Sequence, residues 1–190
     1  MPEAKLIIEP VPARERWPEL WVTDDERRHA ASFGSERRSG EYLMWRDMVR
    51  RALGRDVAIG YTAEGAPRLE NRTEYIGVSH CADFVAVVIS DHRCAVDIER
   101  LSRNFSNISS RYVSPAERLL SDDSRLCAAL WCAKETMYKY AGRKGLDLLR
   151  DICVEKVDFE AGTVVGRICG GSQVVMQMLC RDDNLVVWVG

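Results

Sequence analysis

Twice along this chain a helix-prone stretch gives way to a series of short β-prone runs, and that order restricts the fold more than any single motif. After a short strand at Lys5–Glu9, helical pattern runs from about Asp24 to Leu53. Thr23 or Asp24 can cap its start, Gly54 closes it, and Gly34 and Gly40 mark a break into two helices. Val57–Thr62, Tyr75–Ser79, Phe84–Ser90 and Ala95–Ile98 then read as strands separated by turn residues. Helical pattern returns at Phe105–Tyr112, Pro115–Leu120 and Ser124–Ala141, where Ser114-Pro115-Ala116-Glu117 carries a helix-start signature. Ile152–Phe159, Val164–Ile168, Val174–Cys180 and Leu185–Val189 follow as an antiparallel meander. The expected class is α+β, built from two similar halves.

Composition narrows the function classes. With 190 residues and 46% hydrophobic content the chain can bury a substantial core. A formal net charge of −2 disfavours nucleic-acid binding. The longest apolar run, Phe84–Ile89, is far short of the ~20 residues that span a bilayer. Pro2, Glu3, Lys5 and Glu9 interrupt any secretory leader, so the expectation is a cytoplasmic protein with no membrane span. The seven cysteines have no CxxC spacing and read as reduced, mostly buried thiols. Zinc ligation by His80, Cys81, His92 and Cys94 is the weaker reading. Eight arginines between Arg27 and Arg55 read as a solvated helical face, with an anion-binding wall as the alternative. Only five lysines occur, and three of them lie between Lys134 and Lys144.

Three elements carry chemistry. In Ala95-Val96-Asp97-Ile98-Glu99, period-two alternation puts both acids on one strand face, about 7 Å apart at the backbone. Neighbouring acids repel unless a cation joins them; a solvated strand end is the plain alternative. In Ser124–Gly142, the residues Leu126, Leu130, Ala133, Met137 and Ala141 form one apolar stripe. Trp131, Glu135, Tyr138 and Lys139 share the flank beside it. Glu135 and Lys139 are spaced i, i+4, which on an open surface contributes about 0.2–0.5 kcal/mol, but two large aromatics on that flank argue for half-burial. Lys134 sits at the stripe's edge and Lys144 in a glycine-bounded loop. The third element is Ser79-His80 at a strand end, where the imidazole is either a turn residue or an anion contact.

Taken in order, Gly65-Ala66-Pro67, Gly77-Val78-Ser79-His80, Val96-Asp97-Ile98-Glu99 and Trp131-x-x-Lys134-Glu135-x-x-x-Lys139 with Gly145-Leu146 resemble the 4′-phosphopantetheinyl transferases of the larger, Sfp type. The resemblance covers roughly residues 60–150. It implies two similar α/β halves, 1–93 and 94–190, related by a pseudo-twofold axis in one unit with the active site between them, and a monomer. It implies Mg2+, or Mn2+ in its place, held by Asp97, Glu99 and Glu135. The implied reaction passes phosphopantetheine from coenzyme A to a serine of an apo acyl or peptidyl carrier protein, releasing 3′,5′-ADP. Glu135 and Lys139 would be catalytic, Glu135 taking the serine proton and Lys139 meeting the phosphates. Ser79, His80, Gly65 and Pro67 would bind coenzyme A, with Arg38 and Arg46 on its 3′-phosphate. Glu117 matches a further glutamate near the metal, and residues 101–125, with Arg103, Arg111 and Arg118, would meet the carrier. Two positions depart from the pattern: Ala66 stands where a cation is common, and Cys81 where serine is common. Ala66 keeps a second reading open, a non-catalytic module that holds coenzyme A or a carrier. A nucleotide-handling P-loop enzyme is disfavoured, because Gly-x4-Gly-Lys-[Ser/Thr] is absent.

Overall fold

The computed structural model describes residues 4–190. Pro2 and Glu3, on which part of the leader reading rests, and the first three residues of the expected N-terminal half lie outside them.

Elements follow the local chemistry. Strand β1 (Lys5–Pro10) leads through a 3-10 turn, Arg14–Glu19, to helix α1 (Asp24–Ala31). Thr23 Oγ1 accepts from the Glu26 backbone N–H, and Glu26 accepts from the Thr23 N–H, a reciprocal capping box. Helix α2 (Glu36–Leu53) starts on Ser35 and ends at Gly54, whose φ of 123° suits glycine. The helical break falls between Ala31 and Glu36; Gly40 lies inside α2. A Cβ there would sit 2.6 Å from Val11 Cγ1, so Gly40 lets the Trp17 connector close on the helix.

A small hairpin, β2 (Ile59–Tyr61) with β3 (Pro67–Leu69), replaces the longer strand expected over Val57–Thr62. Strands β4 (Tyr75–Cys81), β5 (Phe84–Ser90) and β6 (Ala95–Arg100) follow. Phe105–Tyr112 and Pro115–Leu120 tighten to 3-10 turns at Ser106–Arg111 and Glu117–Leu119, too short for α-helix. Helix α3 (Leu126–Ala141) precedes β7 (Ile152–Asp158), β8 (Thr163–Ile168), β9 (Gln173–Arg181) and β10 (Asn184–Val189).

The strands form two main sheets, ordered β1-β5-β4 and β6-β10-β9-β8-β7, with α2 packed on the first and α3 on the second. A third apolar cluster, including Cys81, Val88, Val96, Ile98 and Val186, joins the two bodies. Strand β4 therefore runs beside β6 without a regular ladder. The β6 backbone is met by side chains instead: the Ile98 N–H donates to Ser79 Oγ (3.4 Å), and Val96 O accepts from Lys139 Nζ (3.0 Å). Backbone polar groups at a buried seam must find partners, and here two site residues supply them.

Gly77 sets this closeness. A Cβ on it would fall 2.8 Å from Val88 Cγ1 and 2.9 Å from the Ala95 Cα. Backbone cannot yield as a flexible side chain can. Gly77→Ala is therefore expected to lower stability by about 1–3 kcal/mol, read as a lower urea midpoint; an unchanged midpoint would contradict the tight seam.

Among the described residues, no helix is long and apolar enough to cross a membrane. The cysteines are all free; Cys81, Cys94 and Cys132 are buried and Cys127 partly so, but Cys153, Cys169 and Cys180 are exposed. Burial thus holds for the first four only. The arginine-rich helices are likewise not one solvated face. Arg46 and Arg50 are both buried against Glu26 (3.3 and 2.7 Å). Burial alone would raise the Glu26 carboxyl, but hydrogen bonds from Arg50 and Thr23 take it below the ordinary range.

Candidate active site at the seam between the sheets

Period-two alternation on β4 sends Ser79 and His80 to opposite faces. Ser79 turns toward β6, where its Oγ donates to Asp97 Oδ1 (2.9 Å). His80, half exposed, faces α2, with Nδ1 3.4 Å from the buried Glu41 carboxylate. On β6, Asp97 is buried and Glu99 partly buried, the two acids sharing one face. Helix α3 brings Trp131, Glu135 and Lys139 to this face on successive turns. Its stripe is buried at Leu126, Leu130, Ala133 and Met137 and partly buried at Ala141; on the flank Trp131, Glu135 and Tyr138 are half-buried and Lys139 is exposed.

Lys139 is engaged differently from the i, i+4 expectation. Its Nζ donates to Asp97 Oδ1 (2.7 Å), Val96 O (3.0 Å) and Ser79 Oγ (3.1 Å), which uses all three ammonium protons. Glu135 has no hydrogen-bond or ion-pair partner among the described residues. Glu99 Oε1 accepts from Trp131 Nε1 (2.8 Å) and from Arg103 Nη1. Arg103 also lies over the Trp131 and Phe105 rings, 4.9 and 5.2 Å from their centroids.

The electrostatics follow from crowding. Burial raises the Glu135 carboxyl above its ordinary range, and the Asp97 charge adds to it against the opposing pull of Lys139. Burial raises Glu99 as well, with Asp97 adding and Arg103 opposing. Among the described residues, no three His, Cys, Asp or Glu side chains stand gathered as a set that could hold a metal ion. Yet Asp97 Oδ2 is buried with no hydrogen-bond partner. By donor chemistry Asp97, Glu99 and Glu135 offer carboxylate oxygens, the type a hard divalent cation takes.

A cavity of about 290 Å³ adjoins the seam. Gly65, Ala66 and Pro67 of the β2–β3 turn line one side, and Tyr138, Lys139, Arg143 and Lys144 the other. Gly65, with φ of 91°, makes that turn at no steric cost. The structure therefore brings together Asp97, Glu99, Glu135, Lys139 and Ser79 at the seam, with Gly65 and Pro67 at the adjoining cavity.

Other expected residues stand elsewhere. Arg46 is 2% exposed, held between Tyr42 and Trp45, with Nη2 donating to Tyr61 Oη (2.6 Å) and its charge matched by Glu26. An interior guanidinium so matched offers nothing to an outside phosphate. Arg38 is exposed against Phe33 and is not part of the cavity wall. Arg68, two residues past Ala66, pairs with Glu70. Glu117 is 1% exposed and bound to Lys134 (2.8 Å), away from the three acids. Sequence reasoning missed Arg143, which sits beside Lys144 in the glycine-bounded loop. Arg103, expected at the carrier rim, pairs with Glu99 instead, because an E-x-x-x-R spacing past a strand end does not announce a contact.

The fold and site together define an α+β protein with a carboxylate cluster and a lysine at a sheet seam, flanked by a basic cavity. Residues 93–176 match the model of the 4′-phosphopantetheinyl transferase superfamily, which supports that superfamily and a phosphopantetheinyl transferase function in general terms. The match spans Asp97, Glu99, Glu135 and Lys139, and stops short of Ser79-His80 and the Gly65 turn. No curated protein matches the chain.

Proposed function

We propose that the protein transfers the 4′-phosphopantetheine arm of coenzyme A to a serine of an apo acyl or peptidyl carrier protein, as a holo-carrier synthase of the two-half type. The observation that carries this reading is the partnerless Asp97 Oδ2 among three carboxylates, beside a cavity with basic residues. In this reading the halves 1–93 and 94–190, each a long helix on an antiparallel sheet and related by a pseudo-twofold axis, form one monomeric unit acting in the cytoplasm.

Asp97, Glu99 and Glu135 would hold Mg2+ (or Mn2+), which when bound neutralises pyrophosphate charge and polarises the phosphoryl group. The chain's own residues bind and orient. Arg143, which also donates to Cys169 Sγ, and Lys144 line the cavity as cations for the coenzyme A phosphates, while Lys139 holds Asp97 in place. Glu135 accepts the proton of the serine Oγ as that oxygen bonds to phosphorus. The P–O bond to the bridging oxygen breaks, and 3′,5′-ADP leaves. The turns at 106–119, with Arg111, Arg118 and the exposed Leu119, form the rim offered to an acidic carrier.

Incubating an apo carrier protein with coenzyme A and Mg2+ and weighing it intact tests this. Gain of one phosphopantetheine supports transfer. Coenzyme A binding without Mg2+-dependent gain would favour the non-catalytic module that Ala66 keeps in view.

Divalent stabilisation carries a pH sign. Glu99 and Glu135 have folded-state proton affinities above their unfolded ones, so in the metal-free protein they favour folding at acid pH and lose that contribution as pH rises through the raised values. A divalent ion needs both ionised and displaces their protons. Mg2+ is therefore expected to raise the melting temperature more at about pH 8 than at about pH 5. Equal shifts at both would contradict carboxylate ligation.

A further inference from the structure

The two β6 acids share a pattern. Each has one oxygen bound by two donors, while the other takes no hydrogen bond among the described residues: Asp97 Oδ1 takes Ser79 and Lys139, with its Oδ2 buried, and Glu99 Oε1 takes Trp131 and Arg103. A carboxylate with one oxygen doubly anchored has a fixed rotamer and a fixed direction for the other. The donors on Glu99 are themselves held. Trp131 packs edge-on against Tyr112, ring centroids 5.1 Å apart, and Tyr112 Oη donates to Cys127 O (3.0 Å) on α3. Arg103 is pinned between the Trp131 and Phe105 rings. Nothing in the expected transfer chemistry calls for an indole N–H at this place; its partner is a carboxylate, not a substrate.

We infer that Trp131 and Arg103 are positioning residues that aim Glu99 Oε2 at a divalent cation, as Ser79 and Lys139 aim Asp97 Oδ2. The inference rests on the proposed metal-dependent reading and adds residues outside its ligand set. Outer partners of ligating carboxylates and imidazoles typically contribute 10–100-fold in metal affinity. Trp131→Phe keeps an aromatic ring toward Tyr112 and deletes the N–H together with part of the indole. Arg103→Gln removes the guanidinium charge and its stacking, and Arg103→Lys restores charge without the planar fork.

Calorimetric titration of the full chain with Mn2+, without coenzyme A or carrier, reads this directly. Trp131→Phe and Arg103→Gln are each expected to weaken Mn2+ binding roughly tenfold in chains that still melt cooperatively, with partial recovery in Arg103→Lys. Mn2+ should also perturb the indole emission of the unsubstituted protein, and that change should vanish in Trp131→Phe. Tighter binding in Arg103→Gln would overturn the inference by making Arg103 a competitor for Glu99. Unchanged affinity in both variants would reduce the contacts to packing. If the unsubstituted chain binds no divalent ion, the metal-dependent reading fails with it; if it binds and the variants bind alike, only the positioning role fails.

Discussion

Lys134→Ala is expected to destabilise the protein by about 3–5 kcal/mol, a large part of the ~5–15 kcal/mol that holds a domain folded. The Lys134 side chain is fully buried, and its Nζ lies 2.8 Å from Glu117 Oε1 and 2.9 Å from Leu148 O. Glu117 in turn accepts from the Ser114 N–H (2.8 Å) and the Val154 N–H (2.8 Å), tying a 3-10 turn to β7. Removing the ammonium leaves an ionised carboxylate in the interior with two neutral donors and no counter-charge. Lys134→Met with Glu117→Gln discharges both partners and is expected to recover only part of the loss, because the amide offers one oxygen where the Ser114 and Val154 N–H groups use two. Urea unfolding of the three chains checks this. A loss below about 1 kcal/mol in Lys134→Ala would show that the pair is not desolvated as its burial states.

Glu135→Gln is expected to lower carrier loading by about 10²–10⁴-fold while leaving stability equal or higher. The amide keeps the shape of the side chain and cannot take the serine proton or a divalent charge. It also removes a buried negative charge next to Asp97, the cause, after burial itself, that raises the Glu135 carboxyl. Intact-mass time courses give the rate and thermal melting gives the stability. Loading close to the unsubstituted rate would remove Glu135 from the site; a large fall in melting temperature would mean that the residue is structural. Lys139→Met separates the two roles further, because it strips Asp97 of its counter-ion and should slow loading and destabilise the seam together.

The site was legible where it is local. An i, i+3, i+4 stripe on α3 decides which face is buried, and the same geometry puts Trp131, Glu135 and Lys139 on one flank whatever they pack against. Period-two alternation likewise puts Asp97 and Glu99 together before β6 has a neighbour. Partner choice was not legible. Lys139 stands one turn from Glu135, yet it pairs with Asp97, 42 residues away in sequence, because β4 and β6 lie close without a ladder and leave Val96 O and Ser79 Oγ to be met. Arg46 shows the opposite failure: in a run of eight arginines nothing local distinguishes the one that α1 and β2 close over.

Lysine scarcity marked residues 134–144 as a region where point charges matter, and each lysine there has a separate place. Lys134 is the interior partner of Glu117, Lys139 the counter-ion of Asp97, and Lys144 a cation at the cavity wall. The sequence by itself determined the α+β order, the buried faces and which acids share a strand, since these depend on periodicity and short-range caps. Only the tertiary structure decided which cation neutralises which acid and which carboxylate oxygen stays open. Those choices depend on distances between elements far apart in the chain, where low dielectric makes a neighbour's charge count and sequence spacing carries no information about who that neighbour is.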